Sequence, residues 1–370
     1  MLGRITLVGA GELMPAMSSV HRTVLGRLSE PPRPVFLDTP AGFETNVDNI
    51  IEKAIEYYDR YLQTKLRIAS YRHREREGAA AIGAAVAALR EANLIFAGPG
   101  SPTYAIEQWR DSPVWQGLVE AFEGGADLLF ASAASIAVGR YALPVYEIYK
   151  AGRDPFWVDG LDLLASFGLK LAVVPHFDDA SGGENYDSRF CYMGARRFDA
   201  LQQQLPNDVT IVGIDAYTAV CFDPHSQSAS VHGRGAMTLI GEGDETRYKS
   251  GSTVPFAAFG GSRRRFVAKT ESTASEAPAA PADSLRALIE TLPSLSDGER
   301  VELLARLETL SRASGSAKDA PLVDLVVELR EALRVAKRYD LADRARETLD
   351  ALGYEVGDTR EGGSWSRKGG

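Results

Sequence analysis

The chain is short of the residues that build several kinds of site. It has 370 residues but only two cysteines, Cys191 and Cys221, and five histidines. Two cysteines give neither a zinc spacing nor a disulfide framework, so we expect no metal, no cofactor and a reducing, cytoplasmic location. No stretch approaches the roughly 18 consecutive apolar residues of a membrane span, and the apolar run at the N-terminus is shorter than that of a secretory signal. We therefore expect no membrane contact.

Positive charge is also scarce relative to negative charge. The chain carries 41 Lys and Arg against 50 Asp and Glu, a net charge of -9. That balance argues against a general nucleic-acid or anionic-membrane binder, although it permits a local basic patch. The hydrophobic content of 45% and the charged content of 25% are ordinary for a globular protein.

Short apolar runs alternate with helical patterns over roughly the first 260 residues. Strands are predicted at residues 5–9, 34–37, 66–70, 92–97, 128–130 and 169–175. Such alternation predicts an α/β domain with a flavodoxin-like, mostly parallel sheet and helices on both faces. The glycines and alternating pattern of residues 228–240 favour antiparallel strands that close the domain. Ligands of such folds bind beyond the carboxyl ends of the strands.

Polar groups follow three of these strands directly. Ser132 comes after the strand at 128–130, His176 after the strand at 169–175, and a Gly-Pro-Gly-Ser-Pro-Thr loop occupies residues 98–103. A strand that stops at a serine and turns into a helix is how α/β hydrolases expose a nucleophile. Ser132 could attack and His176 could take its proton, while Gly100 and the helix start at Ala133 could offer N–H groups to an oxyanion. The alternative is a buried strand followed by an Ala-rich helix.

Four segments carry a resemblance that covers the whole first domain. They are AGPGSPTYA at 97–105, ASAAS at 131–135, VVPHFDD at 173–179 and IVGIDAYTA at 211–219. In order and spacing they resemble the cyanophycinase and aspartyl dipeptidase (dipeptidase E) family, serine peptidases of the class I glutamine amidotransferase-like fold. The resemblance implies a peptide-like substrate, Ser132 as nucleophile, His176 as base, and Gly100 and Ala133 as the oxyanion hole.

The resemblance also suggests the remaining roles. It implies Glu147, fifteen positions after the serine, as the acid that orients His176, with Asp178 as the competing acid. Arg189 falls where dipeptidase E clamps the substrate aspartate, so cleavage next to an acidic residue is expected. Departures from the family pattern at Phe130, Ala134 and Ala216 keep a second reading open, a catalytically inactive binding protein of the same fold.

The last hundred residues have a different character. A Ser/Ala/Pro-rich linker is predicted at 269–283, after a hydrolase domain at 1–268, and leucines at helical spacing predict a helical module at 284–370. Residues 325–365 resemble the C-terminal end of cysteinyl-tRNA synthetases, which lies by the anticodon region of tRNA. The synthetases' HIGH and KMSKS motifs are absent, so we do not expect aminoacylation. Contact with tRNA or a protein partner, a simple packing hairpin, and a homodimer stay open.

Overall fold

The computed structural model describes residues 2–183, 186–241 and 245–260, and the backbone of residues 354–359 and 362–367. The first half of the chain alternates strands with helices. Its elements are β1 (Ile5–Val8), α1 (Ser18–Leu25), β2 (Pro34–Leu37), α2 (Val47–Leu62), β3 (Arg67–Ala69), α3 (Ala79–Glu91), β4 (Leu94–Ala97), α4 (Pro102–Trp109), α5 (Pro113–Glu123), β5 (Asp127–Ala131) and α6 (Ala133–Ala137).

The second half is richer in strands. Its elements are β6 (Tyr141–Ala142), α7 (Val145–Tyr149), β7 (Val158–Asp159), β8 (Leu171–Val174), α8 (Arg189–Tyr192), α9 (Gly194–Gln202), β9 (Thr210–Ile214), β10 (Thr218–Asp223), β11 (Ser228–Gly233), β12 (Ala236–Ile240), β13 (Glu245–Lys249), β14 (Thr253–Pro255), β15 (Tyr354–Thr359) and β16 (Gly362–Arg367). Short 3-10 helices lie at Pro15–Met17, Thr39–Ala41, Leu163–Phe167 and Phe256–Phe259. The 3-10 turn at Pro15–Met17 directly precedes α1, and it begins at a proline, which can open a helix but not continue one.

Two sheets organise residues 2–260. The larger has the strand order β14-β11-β10-β1-β5-β4-β2-β3, in which β1, β5, β4, β2 and β3 are mutually parallel. The smaller has the order β13-β12-β9-β8-β6-β7, with β6, β8 and β9 parallel. The predicted mostly parallel α/β sheet is confirmed, and β11 and β12 pair only with antiparallel neighbours.

The larger sheet is covered on both faces, which explains why its strands read as continuous apolar runs. Along β5, Leu128 and Phe130 join the core beneath α3, α4 and α5, while Leu129 and Ala131 join the core beneath α1 and α2. All four side chains are fully buried. Because β5 lies between β1 and β4, the residue that follows it, Ser132, leaves from the middle of the sheet.

The chain divides into two units, Met1–Phe266 and Val267–Gly370. Of the second, the structure describes β15 and β16, which pair as an antiparallel hairpin. The linker predicted at 269–283 lies outside the described residues, as does all of the helical module predicted at 284–370 apart from this hairpin. The predicted boundaries therefore stay predictions.

Within the described residues, no helix combines the length and the apolar character needed to cross a bilayer.

Candidate active site

Ser132 occupies a strained turn between β5 and α6. Its backbone has φ 51° and ψ −113°, a left-handed conformation that costs a non-glycine residue on the order of 1–3 kcal/mol. Two hydrogen bonds hold the turn, from Ser132 N to Val8 O at 3.1 Å and from Ile136 N to Ser132 O at 3.2 Å. Phe130 and Ala134, which replace the usual glycines, are fully buried. The turn therefore forms without those glycines.

His176 meets Ser132 from the smaller sheet. Ser132 Oγ and His176 Nε2 are hydrogen-bonded at 2.9 Å. His176 follows β8 with a positive φ of 51°, and its backbone N–H donates to Gly9 O at 3.3 Å. The Tyr192 ring lies 5.9 Å from the imidazole ring, centroid to centroid. The structure thus joins the two residues that the sequence predicts as nucleophile and base.

The surroundings of His176 favour the neutral form of its imidazole. Partial burial lowers the pKa of His176 below its ordinary value, because it penalises the charged ring, while Asp179 and then Asp178 raise it by electrostatic attraction. A neutral imidazole whose Nε2 faces a hydroxyl can accept the hydroxyl proton. Asp179 was not among the predicted site residues, although the consecutive aspartates at 178 and 179 were visible in the sequence.

Neither predicted acid is hydrogen-bonded to His176. Glu147 is on α7, where its Oε1 accepts a hydrogen bond from Thr103 Oγ1 at 2.7 Å, and Asp178 Oδ1 accepts from Ala216 N at 2.7 Å. Among the residues that the structure describes, no carboxylate makes a hydrogen bond or ion pair with His176. The geometry therefore contains a Ser–His pair, with both candidate acids committed to other partners.

The loop after β4 lies beside the Ser132 turn. Ala134 N donates to Gly98 O at 3.4 Å, and Ser101 N donates to Pro40 O at 2.9 Å. Gly100 has φ 142°, and a Cβ placed there would lie 1.8 Å from Pro40 O. No other residue type fits such a position. Within the described part of the chain, no hydrogen bond uses the backbone N–H of Gly100 or Ala133, so both remain available to an oxyanion.

Side chains tie that loop to α7. Ser101 Oγ accepts from Tyr104 N at 3.2 Å, which caps α4, and lies 2.9 Å from Thr103 Oγ1. Thr103 in turn donates to Glu147. Glu147 Oε2 is buried and has no hydrogen-bond partner among the described residues. Glu147 therefore holds the loop in place, a function that its spacing from Ser132 did not indicate.

Arg189 is engaged by its own neighbour. Its Nε and Nη2 donate to Asp187 Oδ1 and Oδ2, each at 2.8 Å, on the exposed surface. Asp187 also accepts from Ala195 N at 2.9 Å, and the hydrogen bonds from Arg189 lower the pKa of Asp187. The planar guanidinium fork that was expected to clamp a substrate carboxylate is therefore already occupied.

A buried carboxyl group near the loop was not predicted. Glu12 follows β1 and is 7% exposed, and its Oε1 lies 3.8 Å from where a Cβ of Gly98 would stand. Burial raises the pKa of Glu12. Its signal in the sequence was its place at the end of the first strand, in the Gly-Ala-Gly-Glu turn.

The two cysteines are free thiols, and the Cys191 backbone N–H donates to His176 O at 3.2 Å. Both are buried, and burial raises the pKa of Cys191 to about 12, so it is a thiol at neutral pH. Among the described residues, no group of three or more His, Cys, Asp or Glu side chains is arranged to hold a metal ion.

A solved structure has the fold of the first domain. A peptidase from an acI-B1 Actinobacterium superposes with a TM-score of 0.57 at 21% sequence identity, covering 69% of this chain and 98% of that one. A Peptidase E-like protein from Listeria monocytogenes EGD-e superposes with a TM-score of 0.40 at 12% identity. No protein-family model matches the chain. The first likeness shows that this chain and that peptidase share an α/β fold.

Two curated proteins are similar to a short part of the chain. A cysteine–tRNA ligase of Dehalococcoides mccartyi is 42% identical over 59 residues, and one of Thermococcus gammatolerans is 38% identical over 66 residues. These matches cover 16% and 18% of this chain and 13% and 14% of the ligases. The chain therefore spans about one seventh of the length of the curated relatives it matches.

Proposed function

We propose that the chain is a serine hydrolase that cleaves a peptide or isopeptide bond. The observation that carries the proposal is the 2.9 Å hydrogen bond between Ser132 Oγ and His176 Nε2, made by a serine in a strained turn between a strand and a helix. Such a turn lifts a nucleophile out of the sheet, and a neutral imidazole within hydrogen-bond reach can activate it.

The chemistry follows from the positions of these groups. Ser132 Oγ attacks the substrate carbonyl as His176 Nε2 takes its proton, and the N–H groups of Gly100 and Ala133 stabilise the oxyanion. His176 then gives the proton to the leaving amine, which leaves an acyl ester on Ser132. Water, activated by the same imidazole, hydrolyses that ester and restores the enzyme.

The base works here without a hydrogen-bonded acid among the described residues. The backbone hydrogen bond to Gly9 O and the Tyr192 ring restrict where the imidazole can lie. Asp179 and Asp178 act through space to favour the imidazolium that forms during attack. Glu147 serves as a positioning residue for the Gly98–Thr103 loop.

The expectation of an acidic residue beside the cleaved bond rested on Arg189. Arg189 pairs with Asp187 in the structure, so a substrate carboxylate would have to displace Asp187 to bind there.

The test is hydrolysis of a pooled library of dipeptides and β-linked isopeptides, with products read by mass spectrometry. Ser132→Ala should lose turnover of every substrate that the natural chain cleaves. Ser166→Ala, at an exposed serine on the Leu163–Phe167 3-10 helix, is the matched control and should retain it. Unchanged turnover in Ser132→Ala would refute the assignment.

We propose a second function for residues 325–365, because they resemble the C-terminal end of cysteinyl-tRNA synthetases and because cysteine–tRNA ligases match 59 to 66 residues of this chain. This segment would bind tRNA, and the chain would do so either in addition to hydrolysis or instead of it. The alternative, a protein partner, has no comparable support.

A further inference from the structure

Two of the most exposed apolar side chains meet at one place. Among the described residues, four large hydrophobic side chains are more than a third exposed, namely Met14 (40%), Phe43 (44%), Ile55 (39%) and Tyr146 (36%). The Phe43 and Tyr146 rings lie 6.4 Å apart, edge to face, and the Phe43 ring lies 5.0 Å from the Tyr104 ring. We call Phe43, Tyr104 and Tyr146 the aromatic rim. Its members come from three separate loops and helices.

One end of the aromatic rim is fixed to the predicted oxyanion loop. Tyr104 directly follows Thr103, and Tyr146 directly precedes Glu147, and the Thr103–Glu147 hydrogen bond of 2.7 Å joins the two segments. The Tyr104 hydroxyl donates to Arg72 O at 2.6 Å. With its hydroxyl occupied in this way, Tyr104 offers its ring rather than its polar end.

The other end reaches the base. The Tyr149 ring, on the same helix as Tyr146, stacks on the Tyr192 ring at 5.2 Å, and Tyr192 lies beside His176. Tyr146 is also close enough to Tyr192 to contribute to the raised pKa of the Tyr192 hydroxyl, which burial causes in the main. Helix α7 therefore connects the aromatic rim with His176 through the Tyr149 and Tyr192 rings.

The charges around the aromatic rim are of both signs. Glu44 and Glu147 each adjoin one of its rings in the chain, whereas Arg76 acts electrostatically on the Tyr104 hydroxyl and Lys150 lies 4.7 Å from the centre of the Tyr149 ring. These charges do not favour a substrate side chain of one sign, so the rings themselves are what the aromatic rim offers. Exposed rings gain free energy when they bury apolar surface, and aromatic pairs gain more through edge-to-face contact.

We propose that the aromatic rim is the specificity subsite of this hydrolase and takes a large uncharged apolar or aromatic side chain next to the cleaved bond. This inference rests on the proposed function. It predicts a substrate class that differs from the acidic one expected from the sequence.

The experiment uses α-aminoalkyl diphenyl phosphonates, which modify a reactive serine with loss of phenoxide and so need no known substrate. Four probes carry benzyl, methyl, carboxymethyl or aminobutyl side chains, and the rate of Ser132 modification in the full chain is followed by mass spectrometry. The benzyl probe should react at least about tenfold faster than the methyl probe, as burial of a large apolar side chain predicts, and faster than the carboxymethyl and aminobutyl probes.

Variants then locate the effect. Phe43→Ala and Tyr146→Ala should each reduce the benzyl-to-methyl rate ratio several-fold, because each removes apolar surface that the benzyl group covers and the methyl group does not. Ile55→Ala, an equally exposed apolar residue on α2, should not change the ratio. Equal rates for all four probes, or a preference for carboxymethyl or aminobutyl, would overturn the subsite while Ser132 modification still stood. Failure of every probe and of a simple fluorophosphonate would refute the proposed function itself.

Discussion

Ser132 holds a backbone conformation that a glycine adopts freely. Its positive φ of 51° makes the residue a place where stability and activity conflict. Replacing Ser132 by Gly should raise the free energy of unfolding by about 1 kcal/mol, because it relieves part of the backbone strain, while it abolishes hydrolysis. Denaturant unfolding measures the first effect.

The matched control for that change is Ser132→Ala, which removes the hydroxyl but keeps the Cβ and therefore the strain. If the Gly variant proves no more stable than the Ala variant, the strain at this turn does not exist.

The pH dependence of Ser132 modification should follow His176. The imidazole must be neutral to take a proton, and burial lowers its pKa, so the rate should fall only as the pH drops below the ordinary range of histidine. Asp179 opposes that lowering. Asp179→Asn should therefore move the acid limb of the rate profile to lower pH, as measured by fluorophosphonate modification rates across a pH series.

Asp208→Asn is the control for that profile, since Asp208 is an exposed carboxylate paired with Lys170. It should leave the acid limb in place. A shift to higher pH in Asp179→Asn would contradict the electrostatic account of the base.

Helix α7 and the loop after β4 act together through a single hydrogen bond between side chains. Gln at position 147 can still accept from Thr103, whereas Leu cannot. Glu147→Gln should stay within about threefold of natural activity. Glu147→Leu should lose about tenfold, mainly in kcat, because the loop carries the Gly100 N–H that stabilises the oxyanion and a lost buried hydrogen bond costs about 1–2 kcal/mol. Steady-state kinetics on any peptide that the chain cleaves measures both.

The same pair of variants separates positioning from acid catalysis. If Glu147 oriented His176, the Gln variant would fall as far in kcat as the Leu variant, and its acid limb would move.

Strand ends were the part of the site that the sequence could predict. Ser132, His176 and the Gly98–Thr103 loop each follow an apolar run, and the carboxyl ends of β4, β5 and β8 bring them together. Its spacing from Ser132 could not predict where the Glu147 side chain lies. Glu147 is on α7, in the connection between β6 and β7, and no periodicity in the sequence reveals the direction of that connection. The role predicted for Arg189 stays a prediction, and nothing in the sequence indicated that Asp187, two residues away, pairs with it.

At the scale of the whole chain, the C-terminal segment is the proposed site of tRNA binding. The net charge of -9 opposes general RNA binding, so tRNA contact by the C-terminal segment would be local and sensitive to salt. A mobility shift of unmodified tRNA by the full chain should weaken steeply between low and physiological salt, and deletion of residues 320–370 should remove it. Persistence of the shift after that deletion would place RNA binding elsewhere.

The central claim is that Ser132 is a nucleophile activated by His176, and one measurement tests it directly. The full chain is treated with a fluorophosphonate, and the adduct is located by peptide mass spectrometry in the natural chain and in His176→Ala. We predict a single adduct on Ser132, formed at least about a hundredfold more slowly without the imidazole, as loss of a general base predicts. No adduct on Ser132, or equal rates in the two proteins, would contradict the account.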